Sequence, residues 1–111
     1  MRFGVDIVAA SSHAVLAVRG DVDLATAAEL RKRLADAVDA YASVVVDLSG
    51  VGFMDSTGLG VLVAAANRAA AAGHRFALAH PQRIVKNALR LVQVDTLIDV
   101  YDTVDAAVEA L

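Results

Sequence analysis

Hydrophobic and polar positions change period several times along this chain, and each change marks an element. From Phe3 to Ala9 and from Ala14 to Val18, Val, Ile, Leu and Phe mix with small residues on either side of Ala10-Ser11-Ser12-His13, the pattern of a β-hairpin. Gly20 breaks the second run. Thr26-Ala27-Ala28-Glu29 has the Thr and Glu spacing of a capping box, and Leu30, Leu34, Val38 and Tyr41 follow at helical intervals among charged residues. Val44-Val45-Val46-Asp47-Leu48 hardly alternates, which predicts a central strand covered on both faces. A second helix is predicted from about Ser56 to Ala72, with Leu59, Leu62, Val63, Ala66 and Ala70 as its inward stripe.

After Gly73 the pattern predicts a strand from Arg75 to His80, then a third helix with Pro81 at its first position, running to about Val92. Leu97 to Tyr101 reads as a short edge strand. A last helix follows Asp102-Thr103 and carries Val104, Ala107, Val108 and Leu111. A hairpin followed by alternating helices and strands requires crossover connections, so the later strands run parallel and the helices cover the sheet. The expectation is one α/β domain over residues 1–111, with a single mixed sheet of four to five strands covered by about four helices.

Composition narrows the function classes. Hydrophobic residues make up 58% of the chain, yet the longest apolar stretch, Gly58 to Ala66, is cut by Asn67 and Arg68. That is well short of the roughly 20 residues a bilayer requires, so no membrane insertion is expected. The N-terminus enters a strand-like pattern without the basic, apolar and small-residue order of a secretory signal, and a cytoplasmic location is expected. Ten basic against thirteen acidic residues give a formal charge of -3, too little positive field for nucleic-acid binding. Without cysteine, disulfides, thiolate nucleophiles and Cys-based zinc sites are excluded.

If the later strands are parallel, their carboxyl ends gather Asp21, Asp23, Asp55, Ser56 and His80 at one edge of the sheet. Ser56 stands at or beside a helix cap, where its hydroxyl serves either as a cap alone or as a phosphoryl acceptor next to a carboxylate. Gly58 and Gly60 in the first helical turn need a reason. Either the helix packs closely on the sheet, or the surface is kept bare for a partner's backbone. Val61, Ala64 and Ala65 fall off the inward stripe, which makes the outer helix face small and weakly polar and favours protein contact.

Catalysis finds little support. A serine nucleophile needs a base within hydrogen-bond reach. His74 lies about 18 residues along the same helix, roughly 27 Å away, and His13 belongs to the hairpin turn at the opposite edge. Only His80 remains, and Met54 stands where a nucleophile elbow needs glycine. Asp21, Asp23 and Asp55 read as turn and cap chemistry ahead of a Mg²⁺ site. Gly58-Leu59-Gly60 lacks the third glycine of a dinucleotide fingerprint, and no Gly-Lys-Ser/Thr occurs. No cofactor is expected.

Val46-Asp47-Leu48-Ser49-Gly50-Val51 followed by Phe53-Met54-Asp55-Ser56-Thr57-Gly58-Leu59-Gly60-Val61-Leu62 strongly resembles the STAS domain of bacterial anti-sigma factor antagonists. Gly20-Asp21-Val22-Asp23, Ala28-Glu29-Leu30 and Tyr101-Asp102-Thr103-Val104-Asp105-Ala106-Ala107 extend the resemblance over nearly the whole chain. It implies the STAS fold and a partner-switching regulator that is not an enzyme. The unmodified protein binds an anti-sigma factor serine kinase, so that a sigma factor is released and transcription begins. The kinase, which binds the ATP, phosphorylates the serine matched by Ser56, and a separate serine phosphatase restores the hydroxyl. Thr57 is a secondary acceptor, and Asp23 matches an acidic position beside the phosphosite that contacts the kinase. The expected partner surface comprises Asp21, Asp23, Asp55, Ser56, Thr57, Gly58, Gly60 and Val61. The alternative is a STAS scaffold or accessory subunit of a larger signalling or transport complex, never phosphorylated.

Overall fold

The computed structural model describes residues 2–111. Strands β1 (Gly4–Ala10) and β2 (His13–Arg19) pair antiparallel across a connection of only Ser11 and Ser12, with Ser11 in the left-handed region at φ 53°. His13 is therefore the first residue of β2, because a two-residue turn matches the twist of its strands and leaves no room for a longer loop. The chain continues through α1 (Ala27–Ala40), β3 (Ser43–Gly50), α2 (Ser56–Ala71) and β4 (Arg75–Ala79). It ends with α3 (Arg83–Leu91), a 3-10 turn at Val94–Thr96, β5 (Asp99–Tyr101) and α4 (Val104–Glu109). Spatial strand order repeats chain order, β1-β2-β3-β4-β5, and every pair after the hairpin is parallel.

The main core lies between one sheet face and helices α1, α2 and α3. Val44, Val46 and Leu48 of β3 meet Leu30 and Leu34 of α1, Leu62 of α2 and Val85 and Leu89 of α3 in one buried cluster. Each such Leu stabilises the fold by about 1.5–3 kcal/mol through removal from water. The other face is covered over its second half by α4, where Ala107 packs with Val45 and Ala79, against Val104, Val108 and Leu111. β3 is thus buried on both faces, as its unbroken Val run predicts.

Several local expectations change in three dimensions. On α2 the buried residues are Gly58, Leu59, Val61, Leu62, Ala65 and Ala69, whereas Val63 and Ala66 are only partly buried and Ala70 is exposed. The inward stripe is rotated because α2 packs on α1 as well as on the sheet. The capping box does not form: Thr26 makes no side-chain cap bond, and Glu29 is exposed. Pro81 stands outside α3, whose N-cap is Gln82. The last strand begins at Asp99 because the 3-10 turn consumes the residues before it.

Candidate functional site

Two segments after β2 and β3 are laced together at the carboxyl edge of the sheet. Val22 and Met54 form an isolated parallel β-bridge: the Val22 amide donates to Phe53 O at 2.9 Å, and the Asp55 amide donates to Val22 O at 3.1 Å. Both side chains are buried, so the residues that follow them, Asp23 and Asp55, are carried to adjacent places at the surface. Thr26 braces the first segment from within, its hydroxyl donating to Asp21 O at 2.9 Å and accepting from the Asp23 amide at 3.0 Å. The Asp23 carboxylate accepts from the Ala25 amide at 2.9 Å, an Asx turn that fixes its orientation.

Ser56 is the first residue of α2, not its cap. Asp55 holds the N-cap position, and its Oδ1 accepts from the Thr57 amide at 3.0 Å and the Gly58 amide at 3.1 Å. Two of the backbone donors that would attract an anion at this helix start, the Thr57 and Gly58 amides, are therefore already engaged by a carboxylate. Ser56 is exposed, and its side chain forms no hydrogen bond among the described residues.

The two glycines of the first turn have different reasons. A Cβ on Gly58 would approach Met54 Cγ and Val22 Cγ1 to 2.7 Å, so Gly58 lets α2 seat directly on the bridge that builds the site. A Cβ on Gly60 would meet nothing within 4 Å, and Gly60 is exposed. Gly58 is packing; Gly60 is bare surface.

Asp21 is exposed, with a carboxylate oxygen 4.0 Å from the position a Cβ on Gly52 would take, and Thr57 is partly buried. Val61 does not belong to the exposed surface: it is 1% exposed, turned inward by the rotation of α2. Ala65 is buried for the same reason, while Ala64 stays outside. Leu24, 80% exposed, and Phe53, 48% exposed, were not legible as site residues. Both stand in the laced segments, outside any helical or strand period, and an apolar residue that breaks the period between turn-forming residues was their only signal.

His80 is exposed, with a left-handed φ of 54°, and no hydrogen bond joins its ring to Ser56 among the described residues. His74 is spent elsewhere, its Nδ1 donating to Val38 O at 2.7 Å near the end of α1. Among the described residues no three His, Asp or Glu side chains gather to hold a metal ion, and no helix is long and apolar enough to cross a membrane. Gln82 Nε2 donates to Ser49 O at 2.8 Å, tying the start of α3 to the loop that leads into the site.

Residues 5–107 match the STAS domain family. The chain belongs to that family. The STAS protein RsfB of Mycobacterium tuberculosis, an anti-sigma-F factor antagonist, is 30% identical over 95 residues, 85% of this chain and 77% of RsfB. Two Thermotoga proteins are 33% and 35% identical over 69 residues, a stretch spanning 61% of their length. Among solved STAS structures, an anti-sigma factor antagonist from Mycobacterium paratuberculosis superposes with a TM-score of 0.89 at 25% identity, covering 98% of this chain and 93% of that one. Unphosphorylated SpoIIAA, at 18% identity, shares the fold with a TM-score of 0.80 over 98% of this chain and 95% of its own.

Proposed function

We propose that this STAS domain is an anti-sigma factor antagonist whose free Ser56 hydroxyl marks the binding-competent state and whose phosphorylation ends it. The observation that carries the reading is the exposed, unbonded hydroxyl of Ser56 beside a capping carboxylate and next to the laced Asp21–Asp23 segment. The unmodified edge offers an anti-sigma factor serine kinase carboxylates for its cations and two apolar anchors, Leu24 and Phe53. A phosphoryl group adds about -1.5 to -2 charges at that edge, and Asp55 already occupies two of the amides, those of Thr57 and Gly58, that would otherwise help absorb them. The added charge therefore stays at the surface, where it repels whatever the partner has fitted to the neutral hydroxyl.

On this reading Asp23 is a contact and the chain is no enzyme: it carries the group that the kinase transfers from its ATP and a serine phosphatase removes. The activity belongs in the cytoplasm, where sigma factors work. Incubation with the anti-sigma factor kinase and ATP, followed by intact-mass measurement, should add one phosphate to the native chain and none to Ser56→Ala. Binding should survive Ser56→Ala and fail in Ser56→Asp. Equal binding by both variants would refute charge gating. Kinase binding without any labelling would leave a scaffold in place of a switch.

A further inference from the structure

A cleft begins at Thr57, next to Ser56, and runs down between α1 and α2. Its outer part is an open groove of about 500 Å³ lined by Leu24, Ala27, Ala28, Ala35 and Thr57. An inner part of about 160 Å³ continues over Val61, Ala64 and Ala65. Between its long cationic side chains the walls carry mostly alanine, so a backbone can approach closely there, and Leu24 also lines the groove. The remaining lining residues are Arg31, Lys32 and Arg68, and no carboxylate lines either part. In a chain of net charge -3 the groove therefore presents cations to its occupant, although not all of them are free. Lys32 is paired with Asp36 and Arg68 with Asp39, both carboxylates reaching from outside the cleft. Arg31 has no ion-pair partner among the described residues.

We propose that the α1–α2 cleft receives an amphipathic helix of the anti-sigma partner, with aliphatic side chains on the alanine floor and carboxylates against Arg31 and Arg68. The identity of the partner rests on the function proposed above; the chemistry of the occupant rests on the cleft. The α2 wall runs from Thr57 to Arg68, about eleven residues or roughly 16 Å of helix, and Ala27 to Ala35 of α1 lie opposite, a length suited to three helical turns. Because Thr57 lines the cleft and adjoins Ser56, the two surfaces are continuous. The partner is then electrically bipolar: cationic where it faces Asp21, Asp23 and Asp55, acidic where it enters the cleft. This polarity fixes the direction in which the helix lies and gives specificity that the serine edge alone lacks.

Synthetic peptides test this without the natural partner. A fourteen-residue helical peptide with Leu at i, i+4 and i+7 spacing and Glu on both flanks is titrated into ¹⁵N-labelled protein, beside the same peptide with Lys in place of Glu. The expected result is amide shifts concentrated at Ala28, Ala35, Thr57 and Ala64, with affinity for the Glu peptide at least tenfold above that for the Lys peptide. Arg31→Glu/Arg68→Glu should reverse the preference. Ala64→Tyr, at an exposed position that threatens no core contact, should block both peptides by filling the cleft. Equal affinities, shifts centred outside α1 and α2, or no shifts at millimolar peptide would each overturn the proposal. Labelling of Ser56 is read separately from the peptide titration, so its failure would remove the regulatory reading without touching this result.

Discussion

The Asp55 carboxylate accepts the Gly58 amide at 3.1 Å, and the same oxygen takes the Thr57 amide at 3.0 Å. One side chain thus closes the start of α2 and leaves Ser56, lodged between cap and amides in sequence, with nothing to bond.

Removing that cap should cost stability. Asp55→Ala is expected to destabilise the fold by about 0.5–2 kcal/mol, read as a lower urea midpoint at unchanged slope. Asp55→Asn, which keeps the accepting oxygen, should lose only the charge at the helix start, about 0.3–1 kcal/mol. Equal losses in both would mean that charge, not the hydrogen bonds, does the capping.

The two glycines should respond in opposite directions. Gly58→Ala drives a methyl toward Met54 and Val22, and overpacking of about 1–3 kcal/mol should outweigh the gain in helix propensity. Gly60→Ala meets open space and should stabilise the protein by up to about 1 kcal/mol. Thermal melts of the two variants on either side of the native value check both.

Charge at position 56 should change the surface and spare the fold. The favourable field of the helix start and the repulsion from Asp55 oppose one another within about 1 kcal/mol. Ser56→Asp should therefore melt close to the native protein, with amide shifts confined to residues 53–60 and 21–26. Shifts spreading into β4 and α3 would show that modification works through the backbone.

Asp39 and Arg68 join α1 to α2 across the outside of the cleft. The hydrogen bond from Arg68 is the largest influence and holds the Asp39 carboxyl below the ordinary aspartate value; desolvation, next in size, opposes it, and the charges of Arg68 and His74 add to the lowering. Arg68 is raised in turn by the same bond. A lowered folded value means that the pair's contribution is present above the ordinary aspartate range and fades as pH falls through the folded value. Carbon-detected titration should show an Asp39 midpoint below that of a free aspartate, moving back toward it in Arg68→Ala. At this exposed position Asp39→Asn should scarcely alter stability at neutral pH but should release Arg68 and strengthen binding of the Glu peptide.

The linear chain by itself determined the sheet and the direction of its strands. The unbroken Val44–Val46 run could be satisfied only by a strand covered twice, and the alternation of helical and extended periods allowed little except parallel crossovers. Asp55-Ser56-Thr57-Gly58 announced the start of α2 because capping is local, decided within four residues. Tertiary structure decided the rest. The rotation of α2 that buries Val61 and Ala65 arises from packing on α1, a helix remote in sequence, so no stripe drawn on α2 alone could locate it. The laced Val22–Met54 bridge, which brings Asp23 to Asp55 and leaves Leu24 and Phe53 in water, joins segments some thirty residues apart. Periodicity reports which residues leave water, since burial repeats with the local backbone; which surfaces then meet depends on contacts between distant segments, and those exist only once the chain has closed on itself.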